Sequence, residues 1–394
     1  LYGGDGNDIL LGNSGNDQIH CGAGMDFVDG GSGKDEIWCD SGANAVSGGS
    51  KNDTIHGGTG YDAIAGGTGD DLIKLQNFSE SATTITFTLD KTFSKIFGKK
   101  KITLTKEIRT IVYGGTGNDN ILDVQGNSMI DSGSGKDTII ALSGNNTIYG
   151  GTGDDSITGG VGDDSIIGGS GNDTIKATAG NNTIDGGSGA DIITGGTGDD
   201  SIIGGTGCDI IKATAGNNTL KGGGHADSII GGSGNDSIYG GTNNDTINAG
   251  GGNNKIFFNK GDGSDVIYSG GGTDTLVFLN ESDYSSIKAT YSGSDLVLKN
   301  SNLGVTVTLK NFKTSHSVKY IALNDSSEGK SINEFLTLTK SRSMPDNTNS
   351  IKSQVAAWQN NDNSGYADVS DSFTGAEEQN IIATVANSYT NQPY

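Results

Sequence analysis

A nine-residue phrase, repeated without insertion over residues 113–256, is the feature that most constrains this chain. Its clearest copy is Gly150-Gly151-Thr152-Gly153-Asp154-Asp155-Ser156-Ile157, and in every copy Ile or Leu follows two residues after the sixth position. The same register runs from Asp8 to Asp71, and it slips by two residues before Asp265 and Asp274. A short fixed period of this kind predicts a solenoid, in which each repeat stacks on the next.

The residue types of the phrase indicate a metal site built from oxygen atoms. Glycine has no Cβ, so paired glycines let the chain turn tightly through positive φ and bring carbonyl oxygens toward a common centre. The aspartate adds a carboxylate to them. Carbonyl and carboxylate oxygens without nitrogen or sulfur are the ligands that calcium prefers. The phrase therefore predicts multiple calcium ions along the chain.

The aliphatic residue of each phrase predicts a thin hydrophobic core. The three residues around it form a very short strand whose middle side chain points inward. One buried aliphatic side chain contributes roughly 1.5–3 kcal/mol. Because that is less than the backbone entropy cost of ordering nine residues, the metal must supply part of the folding free energy.

Composition excludes several classes of protein. The formal net charge of −22 argues against nucleic acid or an anionic membrane as a partner and favours cations. Glycine accounts for 68 of 394 residues but keeps the register, so the chain is neither collagen nor a flexible linker. No apolar run is long enough to predict a membrane span. The chain enters the phrase at Leu1 without an initiator Met, so we expect it to be a fragment of a longer protein.

Three cysteines do not make a disulfide framework. Cys21 and Cys39 occupy the same position of the phrase, 18 residues apart, and would be stacked neighbours if two phrases make one turn. Two buried thiols are the favoured interpretation, because stacked, in-register geometry often has the wrong torsion for a disulfide. A cross-link that forms under oxidising conditions is the alternative. Cys208 has no partner at this spacing.

Residues 74–111 interrupt the phrase. Ile85, Phe87 and Leu89, followed by Ile102 and Leu104, alternate with other residues and predict a hairpin or a pair of strands. The insert is also rich in basic residues. A solvated strand face is the favoured interpretation, and a contact for acidic polysaccharide or lipid is the alternative. The basic residues are Lys91, Lys95, Lys99, Lys100, Lys101, Lys106 and Arg109.

Glycine becomes less frequent after residue 278. Residues 294–298, 305–309 and 318–323 alternate like strands of a small antiparallel sheet, which could cap the open end of a solenoid. The tail predicts two short helices, one around Trp358 and one after residues 374–377. The residues between them, 360–365 with Asp368 and Asp371 beyond, have a spacing similar to that of an EF-hand loop, but Asn replaces its first acid and Asp its final Glu, so they are interpreted as a polar linker.

The chain carries no catalytic signature. His20, His56, His225 and His316 are scattered, and the sequence contains no His-Glu-x-x-His, no Gly-x-Ser-x-Gly and no phosphate-binding loop. We therefore predict that this chain is not an enzyme, although a catalytic domain could precede it.

The chain resembles the RTX, or repeats-in-toxin, family of exported bacterial proteins. The resemblance implies an all-β fold, a parallel β-roll with two nonapeptides per turn and calcium between stacked loops. It divides the chain into a first roll block (1–73), a β insert (74–111), the main roll (112–278), a C-terminal β cap (279–340) and a tail similar to the uncleaved signal of type I secretion systems (341–394).

The resemblance also assigns the calcium ligands. Aspartates at the sixth position would supply carboxylates, and the glycines would supply backbone oxygens. Ser128, Asn146, Asn182, Asn218 and Asn254 depart from the pattern on one flank, where calcium is in doubt. The predicted ligands are Asp8, Asp17, Asp26, Asp35, Asp53, Asp62, Asp71, Asp119, Asp137, Asp155, Asp164, Asp173, Asp191, Asp200, Asp209, Asp227, Asp236, Asp245, Asp265 and Asp274, with Gly150, Gly151, Gly153, Gly168, Gly169, Gly171, Gly186, Gly187, Gly189, Gly204, Gly205 and Gly207.

The function implied by the resemblance is a secreted, extracellular calcium-folded module. It would promote the secretion, folding and stability of a larger bacterial exoprotein, with calcium and the type I secretion machinery as partners. Two alternatives remain open: a structural scaffold of a surface layer or adhesin, and the C-terminal part of an exoenzyme or toxin. The sequence upstream of Leu1 would separate them.

Overall fold

Two long β-sheets face each other and form the body of the protein. The structure, a computed structural model, describes residues 1–75, 84–88, 101–105, 110–124, 126–268, 270–314, 317–325 and 329–343. Within these residues one sheet has 19 strands, the other has 16, and a separate pair of strands lies in the insert. Successive phrases alternate between the two long sheets.

The strands of the two long sheets have the following bounds. Sheet one contains Tyr2–Asp5, Gln18–Gly24, Glu36–Trp38, Ser41–Gly42, Thr54–His56, Thr59–Gly60, Leu72–Leu75, Asn120–Asp123, Thr138–Ala141, Ser156–Val161, Thr174–Ala179, Ile192–Thr197, Ile210–Ala215, Ser228–Ile230, Thr246–Asn248, Ser264–Tyr268, Ile287–Ser292, Asp295–Asn300 and Val305–Leu309. Sheet two contains Ile9–Leu11, Phe27–Ser32, Ala45–Ser50, Ala63–Thr68, Ile111–Thr116, Met129–Ser134, Thr147–Thr152, Ser165–Ser170, Thr183–Ser188, Ser201–Thr206, Thr219–Gly224, Ser237–Thr242, Lys255–Phe258, Asp274–Phe278, Val318–Leu323 and Lys330–Ser331.

The pairing of the strands shows that two phrases make one turn. Ile157 lies beside Ile175 in sheet one, and Ile166 lies beside Ile184 in sheet two, both in parallel register. Each partner is 18 residues further along the chain. The fold is therefore the all-β parallel β-roll that the sequence predicts.

The core is a double row of aliphatic side chains between the sheets. Ile157, Ile166 and Ile175 are at most 1% exposed, and the same position is buried in every described phrase from Ile19 to Leu276. Near the end of the roll the core also contains aromatic side chains, and Phe258 stacks on Phe278 with ring centroids 5.3 Å apart. The hydrophobic core is therefore thin along most of the roll, because each phrase contributes one inward aliphatic residue.

The insert separates two phrases in sequence, but the turns on either side of it remain adjacent in the roll. Its strands Thr84–Thr88 and Lys101–Thr105 pair antiparallel, as the alternating residues predict. The turn before the insert pairs directly with the turn after it, since Leu72–Leu75 lies parallel to Asn120–Asp123. The predicted role of the basic insert residues concerns side chains outside the described part of the chain.

The end of the roll differs from the predicted cap. Residues 287–309 do form an antiparallel meander, but Val305–Leu309 also pairs parallel with Ser264–Tyr268. Val318–Leu323 belongs to the opposite sheet, where it pairs parallel with Asp274–Phe278. The prediction of one small antiparallel sheet was wrong. The unpaired backbone groups at the last turn explain the difference, because both sheet edges gain hydrogen bonds when another strand continues them.

A helix, Ile332–Ser343, follows the last strand. The Ser331 hydroxyl accepts a hydrogen bond from the backbone N–H of Glu334 at 3.2 Å, which caps the helix N-terminus. Phe335 and Ile332 are buried against the core. The Ser-x-x-Glu pattern of residues 331–334 was a sequence signal for this helix. The two predicted tail helices and the loop at 360–365 lie outside the described residues.

Cys21 and Cys39 are free thiols, both 0% exposed. They share the same column of the roll, as Ile19 and Ile37 pair two residues before them. The structure thus has the buried thiols that the sequence favours. The cross-link stays a prediction for oxidising conditions, and non-reducing mass spectrometry of the calcium-loaded protein checks it: two free thiols would reject it.

Within the described residues, no helix combines the length and the apolar character that crossing a membrane requires.

Candidate metal sites on the two flanks

Aspartates at position six form a continuous column along one edge of the roll, which we call the first flank. The backbone N–H of each aspartate donates to Oδ1 of the aspartate one turn later, at 2.7–2.9 Å. The column passes the insert, because Asp71 donates to Asp119. It contains Asp17, Asp35, Asp53, Asp71, Asp119, Asp137, Asp155, Asp173, Asp191, Asp209, Asp227, Asp245 and Asp265.

The second carboxylate oxygen of most aspartates in this column is buried without a hydrogen-bond donor. From Asp35 to Asp265 the residues of the column are at most 3% exposed. A buried, ionised carboxylate oxygen without a partner is strongly destabilising, so such an atom indicates a missing cation or proton. The buried Oδ2 atoms without a donor belong to Asp17, Asp35, Asp53, Asp71, Asp119, Asp137, Asp155, Asp173, Asp191, Asp209, Asp227 and Asp245.

The first glycine of the phrase makes room for this oxygen. A Cβ placed on Gly168 would lie 2.5 Å from Oδ2 of Asp173 and 2.6 Å from the carbonyl oxygen of Gly186, one turn later. Gly150 has the same surroundings, with the Gly168 carbonyl at 2.5 Å and Asp155 Oδ2 at 2.8 Å. A carboxylate oxygen and a backbone carbonyl oxygen therefore face the same small space in successive turns.

The glycines at positions two and four of the phrase allow backbone conformations with positive φ. Gly169 and Gly171 have φ values of 116° and 128°, which side-chain-bearing residues rarely adopt. A Cβ on Gly169 would also collide with the carbonyl oxygen of Gly151 in the preceding turn. These glycines allow the turns to stack closely, and this stacking brings oxygens of adjacent turns together.

Burial raises the pKa values of aspartates in the first-flank column. Loss of solvent raises the pKa of Asp119, Asp155 and Asp227 from 3.8 to about 7. Neighbouring carboxylates in the column raise each of these pKa values further, while the backbone N–H of the preceding turn opposes the shift. Burial raises the pKa of Asp71 to about 8. A nearby cation would favour the ionised form and reverse these shifts.

The opposite edge of the roll, the second flank, has a mixed column. Aspartate alternates with asparagine from Asn146 to Asp274, and the backbone N–H to Oδ1 hydrogen bonds continue at 2.8–3.0 Å. Oδ2 of Asp164, Asp200, Asp236 and Asp274 is buried without a donor. The column contains Asp8, Asp26, Asn44, Asp62, Thr110, Ser128, Asn146, Asp164, Asn182, Asp200, Asn218, Asp236, Asn254 and Asp274.

Two departures were not anticipated from the sequence. Thr110 occupies position six in the turn that ends the insert, since the Ile111 N–H donates to the Asp62 carbonyl and the Met129 N–H donates to the Thr110 carbonyl. Ser132 replaces the first glycine before Asp137, and its hydroxyl donates to the Gly150 carbonyl oxygen at 2.6 Å. At the Ser132 turn a hydroxyl group therefore lies beside a first-position carbonyl oxygen.

Position five forms a second, outer column. The backbone N–H of Lys136 donates to Oδ1 of Asn118, and that of Ala190 donates to Oδ1 of Asn172, both at 2.7 Å. These bonds run from a later turn to an earlier one, opposite in direction to those of position six. Asn or Asp recurs at position five in most phrases, so the signal was present in the sequence. This outer column keeps the turns in register without metal.

The donor set fits calcium better than a nitrogen- or sulfur-binding metal. No group of three or more His, Cys, Asp or Glu side chains converges among the described residues. Each space instead combines one Oδ2 with backbone carbonyl oxygens, and Oδ1 of the next turn lies in the same column. Calcium accepts six to eight such oxygens in a flexible geometry. The aspartates and first-position carbonyls of successive turns would hold it.

The difference between the all-aspartate column and the mixed column predicts that the two flanks bind calcium unequally. The double variant Asp173→Asn/Asp191→Asn should lose more bound calcium and more stability than Asp164→Asn/Asp200→Asn. On the first flank, each removed carboxylate has aspartate at position six of the turns before and after it. Asp164 and Asp200 instead have asparagine at position six of both neighbouring turns. Equilibrium dialysis and thermal unfolding in calcium measure the difference. Equal losses in the two matched variants would contradict it.

The chain matches the family model of the RTX calcium-binding nonapeptide repeat, described as four copies, over more than half of its length. The matched residues are 2–37, 40–73, 113–148, 140–175, 167–202, 176–211, 203–238, 222–256, 230–263 and 261–284. The matches span both roll blocks and both flanks. They indicate calcium at multiple sites, and the family is not a catalytic one. No curated protein matches the chain.

Two solved structures are similar to parts of the chain. A hyperactive, Ca²⁺-dependent, β-helical antifreeze protein from an Antarctic bacterium shares 16% identity, with 82% of this chain and 94% of that chain covered and a TM-score of 0.34. The extracellular lipase LipA from Serratia marcescens shares 22% identity, with 53% and 44% covered and a TM-score of 0.16. At these TM-scores neither structure bears on the function of this chain.

Proposed function

Since this chain belongs to the RTX calcium-binding nonapeptide repeat family, we propose that it is a calcium-folded module that promotes secretion and extracellular folding of a larger bacterial exoprotein. The buried Oδ2 atoms of the first flank are the observation that supports this proposal. They make the folded state dependent on a cation. A chain that folds only where calcium is abundant stays extended inside the cell and becomes ordered outside it.

The dependence on calcium follows from the electrostatics of the first flank. Carboxylates there repeat about every 4.8 Å along the roll, the spacing of neighbouring strands. Calcium between the turns would neutralise them and connect one turn to the next. Binding free energy becomes folding free energy when the unfolded chain has no preformed site.

The export role rests on the tail, residues 341–394, which we propose to be read by a type I secretion system. The last residues carry no strict motif, so the proposal depends on their position after the repeats. The roll would then act after export, when extracellular calcium orders the turns and draws the emerging chain outward.

Secretion of a fused reporter tests this proposal. A reporter joined to the N-terminus of the full chain, in cells that carry a type I system, should appear in the medium in a protease-resistant form when calcium is present. Removing residues 341–394 should keep the reporter inside the cell. The variant Asp155→Asn/Asp173→Asn/Asp191→Asn should be exported but remain protease-sensitive. Export that does not need the tail, or equal resistance with and without calcium, would refute the corresponding half of the proposal.

A further inference from the structure

On the second flank, the residue at position one of the phrase changes together with the residue at position six. Seven successive turns alternate strictly, with glycine before aspartate and alanine before asparagine. Earlier turns depart from this pairing, with Cys21 before Asp26 and Cys39 before Asn44. The alternating pairs are Ala141 with Asn146, Gly159 with Asp164, Ala177 with Asn182, Gly195 with Asp200, Ala213 with Asn218, Gly231 with Asp236 and Ala249 with Asn254.

In the Ala–Asn turns, the asparagine amide nitrogen is surrounded by oxygen atoms. Nδ2 of Asn182 donates to Oδ1 of Asp200 at 2.9 Å, to the Gly180 carbonyl at 3.0 Å and to the Gly195 carbonyl at 3.3 Å. Asn146 repeats this arrangement two turns earlier, with its Nδ2 3.1 Å from Oδ1 of Asp164. The amide thus donates to a carboxylate and to the first-position carbonyl of the next turn, the classes of oxygen that face the metal space on the first flank, and also to the fourth-position carbonyl of its own phrase.

In the Gly–Asp turns, the corresponding atom is an acceptor without a donor. Oδ2 of Asp164 is buried and has no hydrogen-bond partner. A Cβ on Gly159 would lie 2.7 Å from this oxygen, and a Cβ on Gly195 would lie 2.5 Å from Oδ2 of Asp200. Alanine is therefore incompatible with this position of the carboxylate. In the Ala–Asn turns the alanine is accommodated, since Ala177 and Ala213 are 0% exposed.

Alanine also changes the path of the backbone. The pairing between Ser156–Val161 and Thr174–Ala179 is irregular where Gly160 lies beside Ala177 and Val161 lies beside Ala179. The same irregularity recurs 36 residues later, where Gly196 lies beside Ala213. The Ala–Asn loops therefore differ from the Gly–Asp loops in backbone as well as in side chain.

We infer that the Ala–Asn turns of the second flank exclude calcium, because the asparagine amide takes the place of the cation, and that positions one and six together decide which turns bind it. This inference rests on the proposed calcium-dependent folding. Within this alternating run of the second flank, calcium then binds at alternate turns, those of Asp164, Asp200 and Asp236. The Ala–Asn turns hold adjacent turns together by hydrogen bonds that need no metal.

Converting a turn tests the inference. In the full-length chain, Ala177→Gly/Asn182→Asp should bind about one more calcium ion than the parent, because it restores both the carboxylate and the space beside it. Ala213→Gly/Asn218→Asp should do the same at an independent turn. Ala177→Gly alone should add none, and Asn182→Asp alone should add less than the double variant. Equilibrium dialysis with calcium counts the ions.

The reverse conversion provides a second readout. Gly195→Ala/Asp200→Asn should bind about one ion fewer while keeping its β-rich circular dichroism spectrum in calcium. If neither the Gly/Asp variants nor the Ala/Asn variant differs from the parent in the number of bound calcium ions, the inference is overturned. The proposed function is unaffected by that result as long as the parent itself binds calcium. A parent chain that binds no calcium would overturn both.

Discussion

In metal-free buffer at pH 7.5 the chain should be largely disordered, and addition of calcium should convert it to a β-rich fold in one cooperative transition. Buried oxygens of the first flank give the reason. Without metal, the Oδ2 atoms of residues such as Asp155 and Asp173 would be ionised, desolvated and without a donor. Neighbouring carboxylates at about 4.8 Å repel each other by roughly 1 kcal/mol per pair even in water. The thin aliphatic core cannot offset this together with the entropy of so many glycines.

Cooperativity follows from the way the turns share ligands. Oδ1 of Asp191 accepts the backbone N–H of Asp173, while Oδ2 of Asp191 faces the carbonyl oxygen of Gly204 in the next turn. Each ordered turn thus presents half of the oxygens that the next ion needs. In one-dimensional repeats of this kind, stability depends on the interfaces between neighbours, so ordering spreads from turn to turn.

Circular dichroism during a calcium titration measures the transition. We expect a midpoint near the ~10⁻⁴–10⁻³ M affinity of extracellular calcium modules. Magnesium at the same concentration should be far less effective, because it demands a small octahedral site and dehydrates reluctantly. The variant Asp155→Asn/Asp173→Asn should shift the midpoint to higher calcium. A β-rich spectrum that is already complete in excess chelator would show that the metal does not drive folding.

The repeating parts of the molecule are predictable from the sequence because they depend on one phrase and its neighbour. The inward Ile157 and the Asp155 carboxylate each follow from their position in the phrase, and stacking every 18 residues then places Ile175 and Asp173 beside them. The two-sheet roll and the first-flank column are consequences of that single period.

The nonrepeating parts depend on contacts between distant residues, which a local pattern does not contain. Asp71 and Asp119 are 48 residues apart yet occupy adjacent turns, so the insert conceals the register and with it the position of Thr110. The strand Val318–Leu323 alternates like any other, and only the free edge at Asp274–Phe278 decides which sheet it joins. The role of Asn182 similarly requires the three oxygens that its amide reaches in the folded roll.

Acidification should partly replace calcium. Metal-free protein at pH 5 should show more β structure by circular dichroism than the same protein at pH 8, where we expect it to be largely disordered. Burial raises the pKa of Asp53, Asp119 and Asp155 to about 7 in the fold, compared with the ordinary value of 3.8 expected in the unfolded chain. Groups whose pKa is higher in the folded state take up protons on folding. Their contribution to stability is therefore fully present below pH 3.8 and is lost as the pH rises through 7.

Calcium should reverse the sign of this dependence, because protons and calcium compete for the same carboxylate oxygens. Calcium-loaded protein should be most stable near neutral pH, and its Tm should decrease as the pH falls toward 5. Circular dichroism of the metal-free protein and thermal unfolding of the calcium-loaded protein, both across pH 5–8, measure the two dependences. The variant Asp53→Asn/Asp155→Asn should weaken the pH dependence of the metal-free β content, since the amides do not titrate, while Asp154→Asn, which removes an exposed carboxylate of the outer column, should have a much smaller effect. A metal-free protein whose β content rises from pH 5 to pH 8 would contradict the burial of ionisable oxygens on which both predictions depend.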